Sequence, residues 1–166
     1  MKKAKVKASA DRPNVLLFPP LIPFGVLLVS VLLGYALPIW GQTPHYTSGL
    51  WLAAGSLLTV MGTSLIVSAL AYFKLHRTPA QPHKPTRKIV VVGPYRYTRN
   101  PMYLGGNLIL LGLSFLFYLP WVWGVFLVGL PINHWGIVLE EEKYLEKKFG
   151  KTYLNYKKSV RRWWIF

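Results

Sequence analysis

Residues 100–139 read NPMYLGGNLILLGLSFLFYLPWVWGVFLVGLPINHWGIVL, forty positions without a charged side chain. A helix that crosses a bilayer needs about 20 apolar residues at about 1.5 Å rise each. The stretch is therefore too long for one span. Tyr118, Leu119, Pro120 and Trp121 sit at its middle, where a tight turn would place aromatic rings at a membrane interface. Two helices of about 19 residues follow from that length. Asn100 and Pro101 read as a helix start, with Asn as N-cap and Pro at the first helical position, where a missing amide is harmless. Pro131 and Gly136 predict that the later helix is kinked or locally opened, its freed backbone groups being satisfied by neighbouring helices.

Outward from this hairpin the same segregation holds. No charge falls between Arg12 and Lys74, which leaves a second charge-free block, residues 13–73. It predicts one span from about Pro20 to Trp40 and another from about Leu50 to Phe73, joined by the uncharged loop Gly41–Gly49. The composition agrees, with 52% hydrophobic and 15% charged residues and a mean hydropathy of +0.31 over 166 residues. A soluble fold needs a more polar exterior than this. The net charge of +15 would suggest nucleic acid in a soluble protein. Here the 20 Lys and Arg flank the apolar blocks, five before residue 13, seven from Lys74 to Arg99 and eight from Lys143 onward. Such flanks read as positive-inside loops against anionic headgroups, so the expected partner is the lipid bilayer and no nucleic acid. Both termini are then cytoplasmic. The basic N-terminus before an over-long apolar run reads as a retained first helix, not a cleaved signal. With no cysteine, disulfides and thiolate chemistry are excluded.

The expected fold is an all-α integral membrane protein with about four transmembrane helices and short C-terminal amphipathic helices. It forms a single domain: basic arm 1–19, first two helices 20–73, cytoplasmic loop 79–100, helical hairpin 101–139 and amphipathic tail 140–166. In the tail Tyr144, Leu145, Phe149, Tyr153, Tyr156, Val160 and Trp163 recur at spacings of three and four among cations, with a break at Gly150.

Two constellations carry chemistry. The first is PHKPTRKIVVVGPYRYTRNPMYLGG, residues 82–106. Its β-branched run Ile89–Val92 ends at Gly93-Pro94 and reads as extended, which leaves amides and carbonyls free for a ligand. The helix start at Asn100 puts free amides and a positive dipole end beside Arg99, a place suited to an anion. Tyr95, Tyr97 and Tyr103 interleave with the arginines and offer flat faces and hydroxyls. Gly105 and Gly106 read as positions where helices approach closely. The second constellation is Asn133, His134, Glu140, Glu141 and Glu142. Seven residues apart, His134 and Glu141 share a helix face, and His134 packs on Trp135 or serves function. Three consecutive carboxylates need at least one cation, and Lys143 suits Glu140. The isolated His45, His76 and His83 show no metal-ligand spacing, so no metal site is expected.

GPYRYTRNPMYLG, followed after a helical hairpin by EEKYLEKKFGKTYLNYKKSV, resembles the isoprenylcysteine carboxyl methyltransferase and phospholipid methyltransferase superfamily. The resemblance covers roughly residues 82–162. It implies a small membrane enzyme that binds S-adenosylmethionine in a cytoplasmic pocket of the C-terminal half. It further implies that Arg87, Lys88, Ile89 and Val90, the ring of Tyr95, Arg99, the helix start Asn100, Pro101, Met102 and Tyr103, and Glu141 surround that cofactor. Its prenylcysteine branch usually carries His at the position of Asn100 and Arg at that of Ile137, and this chain departs at both. The implied reaction is direct transfer of the sulfonium methyl to an O, N or S atom of an amphiphilic or small-molecule acceptor, with His134 or Glu142 as the base where the acceptor needs one. An NADPH-dependent reductase of the sterol reductase type and a non-catalytic membrane scaffold are the competing readings. Oligomeric state stays open.

Overall fold

The computed structural model describes residues 11, 13–15, 18–39, 49–81 and 84–163. The expected loop at 41–48 and most of the basic arm lie outside the described residues. The described chain is helical, with no strand among those residues. Helix α1 is Leu21–Ala36, α2 is Gly49–Leu75 and α3 is Pro101–Leu116. Helix α4 is Trp121–Asn133, continued through a π-helical turn at His134–Val138 into α5, Leu139–Phe149; α6 is Lys151–Ser159.

Two of these rods are long and apolar enough to cross a membrane, Gly49–Leu75 and the unbroken run Trp121–Phe149. The apolar helices α1 and α3 have 16 residues each, about 24 Å at 1.5 Å per residue. Helix α1 is thus shorter than the expected Pro20–Trp40. Pro38 gives the reason, because a proline disfavours helical geometry at the residue before it, and Leu37 has φ −132° and ψ 72°. The fourth helix is longer than expected, since nothing breaks it between Leu139 and Phe149. Gly150 ends it at φ +52° and ψ −127°, a conformation only glycine adopts without strain, and α6 begins there. The predicted local opening of this helix is the π turn, three residues after Pro131.

Helices α2 and α3 pack along glycines spaced by seven on both partners. A Cβ on Gly62 would stand 2.5 Å from the carbonyl oxygen of Gly105, and one on Gly112 would stand 2.8 Å from that of Gly55. Backbones meet there directly, as small residues permit in membrane helices. Of the two glycines read as close-approach positions, Gly105 fulfils that role. Gly106 does not, because a Cβ there would meet nothing within 4 Å. Helix α1 packs on α4 through Val26 and Val122, joined by Leu110 of α3. The hairpin turn is fixed at Tyr118, φ +48°, and Trp121 Nε1 donates to Leu37 O at 3.0 Å. The charged side chains among the described residues lie toward the opposite end of the bundle, in the last turn of α2, the α2–α3 connector, α5, α6 and the segments before α1 and after α6.

Candidate functional site

At that charged end, the α2–α3 connector, the start of α3, the α4–α5 rod and the C-terminal segment enclose a cavity of about 470 Å³, within the usual range for small-molecule sites. The connector is held by its own Thr78 and by Tyr144 of α5. Thr78 Oγ1 accepts from Arg87 N at 3.0 Å and from Lys88 N at 3.4 Å, and Tyr144 Oη accepts from Thr86 N at 3.3 Å. The backbone groups of Ile89 and Val90 pair with nothing else among the described residues. Both residues line the cavity.

The connector then turns at Gly93, φ +62°, into a short 3₁₀ turn, Gly93–Arg96, that buries Tyr95. The Tyr95 ring lies 5.1 Å from that of Phe73 on α2, its carbonyl accepts from Tyr156 Oη at 2.7 Å, and its own hydroxyl is buried without a partner. Burial pushes the Tyr95, Tyr153 and Tyr156 phenols well above their ordinary pKa, so all three stay neutral hydrogen-bonding groups.

Asn100 occupies the N-cap position ahead of Pro101, but its side chain does not cap the helix. Its Nδ2 donates to Arg162 O at 3.1 Å, Thr98 Oγ1 donates to the same carbonyl at 2.8 Å, and Arg99 N donates to Arg161 O at 3.0 Å. The C-terminal segment competes for the cap, a long-range contact that local spacing does not encode. Arg99 differs from expectation as well. Its Nη2 meets Glu142 Oε1 at 3.1 Å, so its first anion belongs to the protein. Its Nε and Nη1 are buried without a partner, and Arg99 lines the cavity.

The three glutamates separate by role. Glu140 pairs with Lys143 at 2.6 Å on the outside, as the i,i+3 spacing suggested. Glu141 lines the cavity, and its Oε1 accepts from Tyr103 Oη at 2.8 Å. Glu142 is buried among Arg99, Arg162 and Lys157 at 3.1, 2.9 and 3.7 Å, and its carboxylate holds the Arg162 guanidinium above its ordinary pKa. The predicted alignment of His134 with Glu141 does not occur. The π turn adds a residue to the intervening helix, so the position two turns on is Glu142, and His134 faces the Glu142–Arg162 side. Its ring stands 5.4 Å from Trp135 and 6.2 Å from Trp163. Neither His134 nor Arg87 lines the cavity, whereas Lys88, Ile89, Val90, Tyr95, Arg99, Asn100, Pro101, Met102, Tyr103, Glu141 and Glu142 do. Sequence reasoning missed Arg162, Tyr153 and Tyr156, all brought in by α6 and the segment after it. Their period-three-and-four spacing showed an amphipathic helix but not what its face would cover.

The family model of the phospholipid methyltransferases matches residues 50–152, from the start of α2 into α6. The chain belongs to the phospholipid methyltransferase family. An uncharacterized protein of Haemophilus influenzae is 46% identical over 63 residues, 37% of this chain and 98% of that relative. No solved structure matches. The methyltransferase family matched here is one of membrane enzymes, in keeping with two helices that suit a bilayer by length and composition.

Proposed function

We propose that this phospholipid methyltransferase family member uses S-adenosylmethionine to methylate an amphiphilic or small-molecule acceptor at the charged face of the bilayer. The observation that carries the reading is Arg99, a buried guanidinium in the cavity wall with two donors unpartnered, beside a neutral cluster of tyrosines. The residues fit that cofactor. The free edges of Ile89 and Val90 and the Tyr95 ring suit an adenine, the Glu141 carboxylate suits ribose hydroxyls, and Arg99 Nε and Nη1 suit an α-carboxylate.

When bound, the cofactor supplies a methyl group on a cationic sulfur, whose carbon–sulfur bond breaks with its electron pair retained by sulfur while the acceptor's lone pair forms the new bond. The chain's task is to hold the two reactants about 3–3.5 Å apart and to keep water out. Tyr103 orients Glu141, and Glu142 orients Arg99 and ties it to the C-terminal segment, which makes Glu142 a positioning residue in this account. His134, packed between two tryptophans off the cavity wall, takes no part in proton transfer here. A proton on the acceptor atom leaves to water at the charged mouth. The apolar lobe between α1, α3 and α4, lined by Ile22, Val26, Leu110 and Phe126, accommodates an aliphatic tail.

The test is incubation of the purified protein in vesicles of a total lipid extract with methyl-labelled S-adenosylmethionine, with heat-inactivated protein as blank. Label is expected in the lipid or small-amphiphile fraction. Label that stays wholly in the donor across lipid, protein and volatile fractions would overturn the reading.

A further inference from the structure

Gly106 is a glycine that packing does not explain. Inside a helix, glycine is disfavoured relative to alanine. Its neighbour Gly105 has a reason to stand there, since a Cβ on it would lie 2.7 Å from the carbonyl oxygen of Gly62 on α2. A Cβ on Gly106 would meet nothing within 4 Å, and yet Gly106 is partly buried and lines the cavity. The residues of α3 around it show where that open space is. At about 100° per residue, Met102 falls about 40° to one side of Gly106, and Leu110 and Tyr103 fall about 40° and about 60° to the other. All three line the cavity, so Gly106 points within the arc of α3 that faces it. Gly105, about 100° away, points at α2 instead. Tyr103, about 4.5 Å back along the helix, is bonded to Glu141 at 2.8 Å and belongs to the polar end, while Leu110, about 6 Å on, packs with Val26 and Val122 at the apolar lobe. Gly106 stands where the two parts of the cavity meet.

We propose that Gly106 is a specificity-determining residue: it keeps open the passage between the polar end and the apolar lobe, and the apolar chain of the methyl acceptor runs past it, with its head at the polar end and its tail among Ile22, Val26, Leu110 and Phe126. A chain that leaves the bilayer for this lobe exchanges one apolar surrounding for another, so hydrophobic transfer contributes little. Steric fit then decides which chains are admitted, and added carbon in an enclosed apolar site is strongly discriminated. The narrowing that any side chain at position 106 would cause falls on the chain next to its head. Reading that chain as part of the methyl acceptor rests on the function proposed above, whereas its place beside Gly106 rests on the cavity alone.

The test compares the parent, Gly106→Ala and Gly106→Leu, each full-length in lipid vesicles, with a long-chain alcohol carrying a mid-chain diazirine as the probe. After photolysis, adducts are mapped by mass spectrometry at Val26, Leu110 and Phe126 in the lobe and at Leu28 and Val128, which are exposed on the outside of α1 and α4 and serve as the internal standard. S-adenosylhomocysteine affinity and melting temperature are measured on the same three proteins. Lobe adducts are expected in the parent, fewer in Gly106→Ala, and a yield lower by about 10-fold or more in Gly106→Leu, with the outer adducts unchanged. The melting temperature of Gly106→Leu is expected to equal or exceed that of the parent, because open apolar space is filled and a helical glycine replaced. Lobe adducts absent from the parent, or surviving undiminished in Gly106→Leu, overturn the proposal. So does a lowered melting temperature, which makes the position structural, or a 10-fold loss of S-adenosylhomocysteine affinity in Gly106→Leu, which assigns the space to the cofactor. The probe needs no methyl transfer, so the two readings fail separately. S-adenosylhomocysteine that binds none of the three proteins sinks the function proposed above, while the graded loss of lobe adducts decides the role of Gly106 on its own.

Discussion

Glu142 meets Arg99 at 3.1 Å and Arg162 at 2.9 Å, with its side chain 5% exposed. Breaking a buried ion pair from one side strands the partner's charge, at a cost of about 3–5 kcal/mol. Glu142→Gln is therefore expected to lower the thermal unfolding midpoint in detergent and to loosen the C-terminal segment, read as faster proteolysis after α6. An unchanged midpoint with lost turnover would return Glu142 to the role of base that the family resemblance implied for it or His134. The sequence made the glutamate triplet conspicuous, because three acids at the end of an apolar run need cations. Only Glu140, whose partner is three residues away, was assignable from spacing. The partners of Glu142 lie 43 residues before it and 15 and 20 after it, and nothing local encodes that choice.

At the scale of elements, the α2–α3 pairing depends on two backbones in direct contact. Gly62→Val would drive side-chain atoms into the Gly105 carbonyl, which a Gly62 Cβ already approaches to 2.5 Å. Overpacking of this kind costs about 1–3 kcal/mol. Because α3 carries Tyr103 and its start fixes Arg99 two residues before it, the variant is expected to lower both melting temperature and cofactor affinity. Gly106→Ala, where a Cβ meets nothing within 4 Å, is expected to leave the melting temperature within error. Parallel thermal denaturation of the two variants checks the contrast, and equal losses would refute it. The hairpin, its turn at Tyr118, the break at Gly150 and the opening after Pro131 were legible, because proline, glycine and aromatic positions act locally. The π turn's consequence was not, since a single extra residue redirects His134 from Glu141 toward Glu142 without leaving a mark in the spacing.

Across the whole molecule, charge and hydropathy divide the chain into an apolar bundle and one basic end, and that division was plain from the sequence. What it left open was how the ends of α3 and α5 and the last residues come together, since that depends on α2–α3 packing, on the Tyr103–Glu141 bond and on Arg161 and Arg162 supplying carbonyls to residues 98–100. The central claim is that these parts form one nucleotide-binding chamber for a sulfonium cofactor. Isothermal titration of the purified protein with S-adenosylhomocysteine and, separately, with NADPH tests it most directly, alongside Glu141→Gln, which removes a charged acceptor worth about 1.5–3 kcal/mol to a bound hydroxyl. The account predicts saturable heat with S-adenosylhomocysteine, an affinity reduced about 10- to 100-fold in Glu141→Gln, and none with NADPH. Saturable NADPH binding with S-adenosylhomocysteine silent would contradict it.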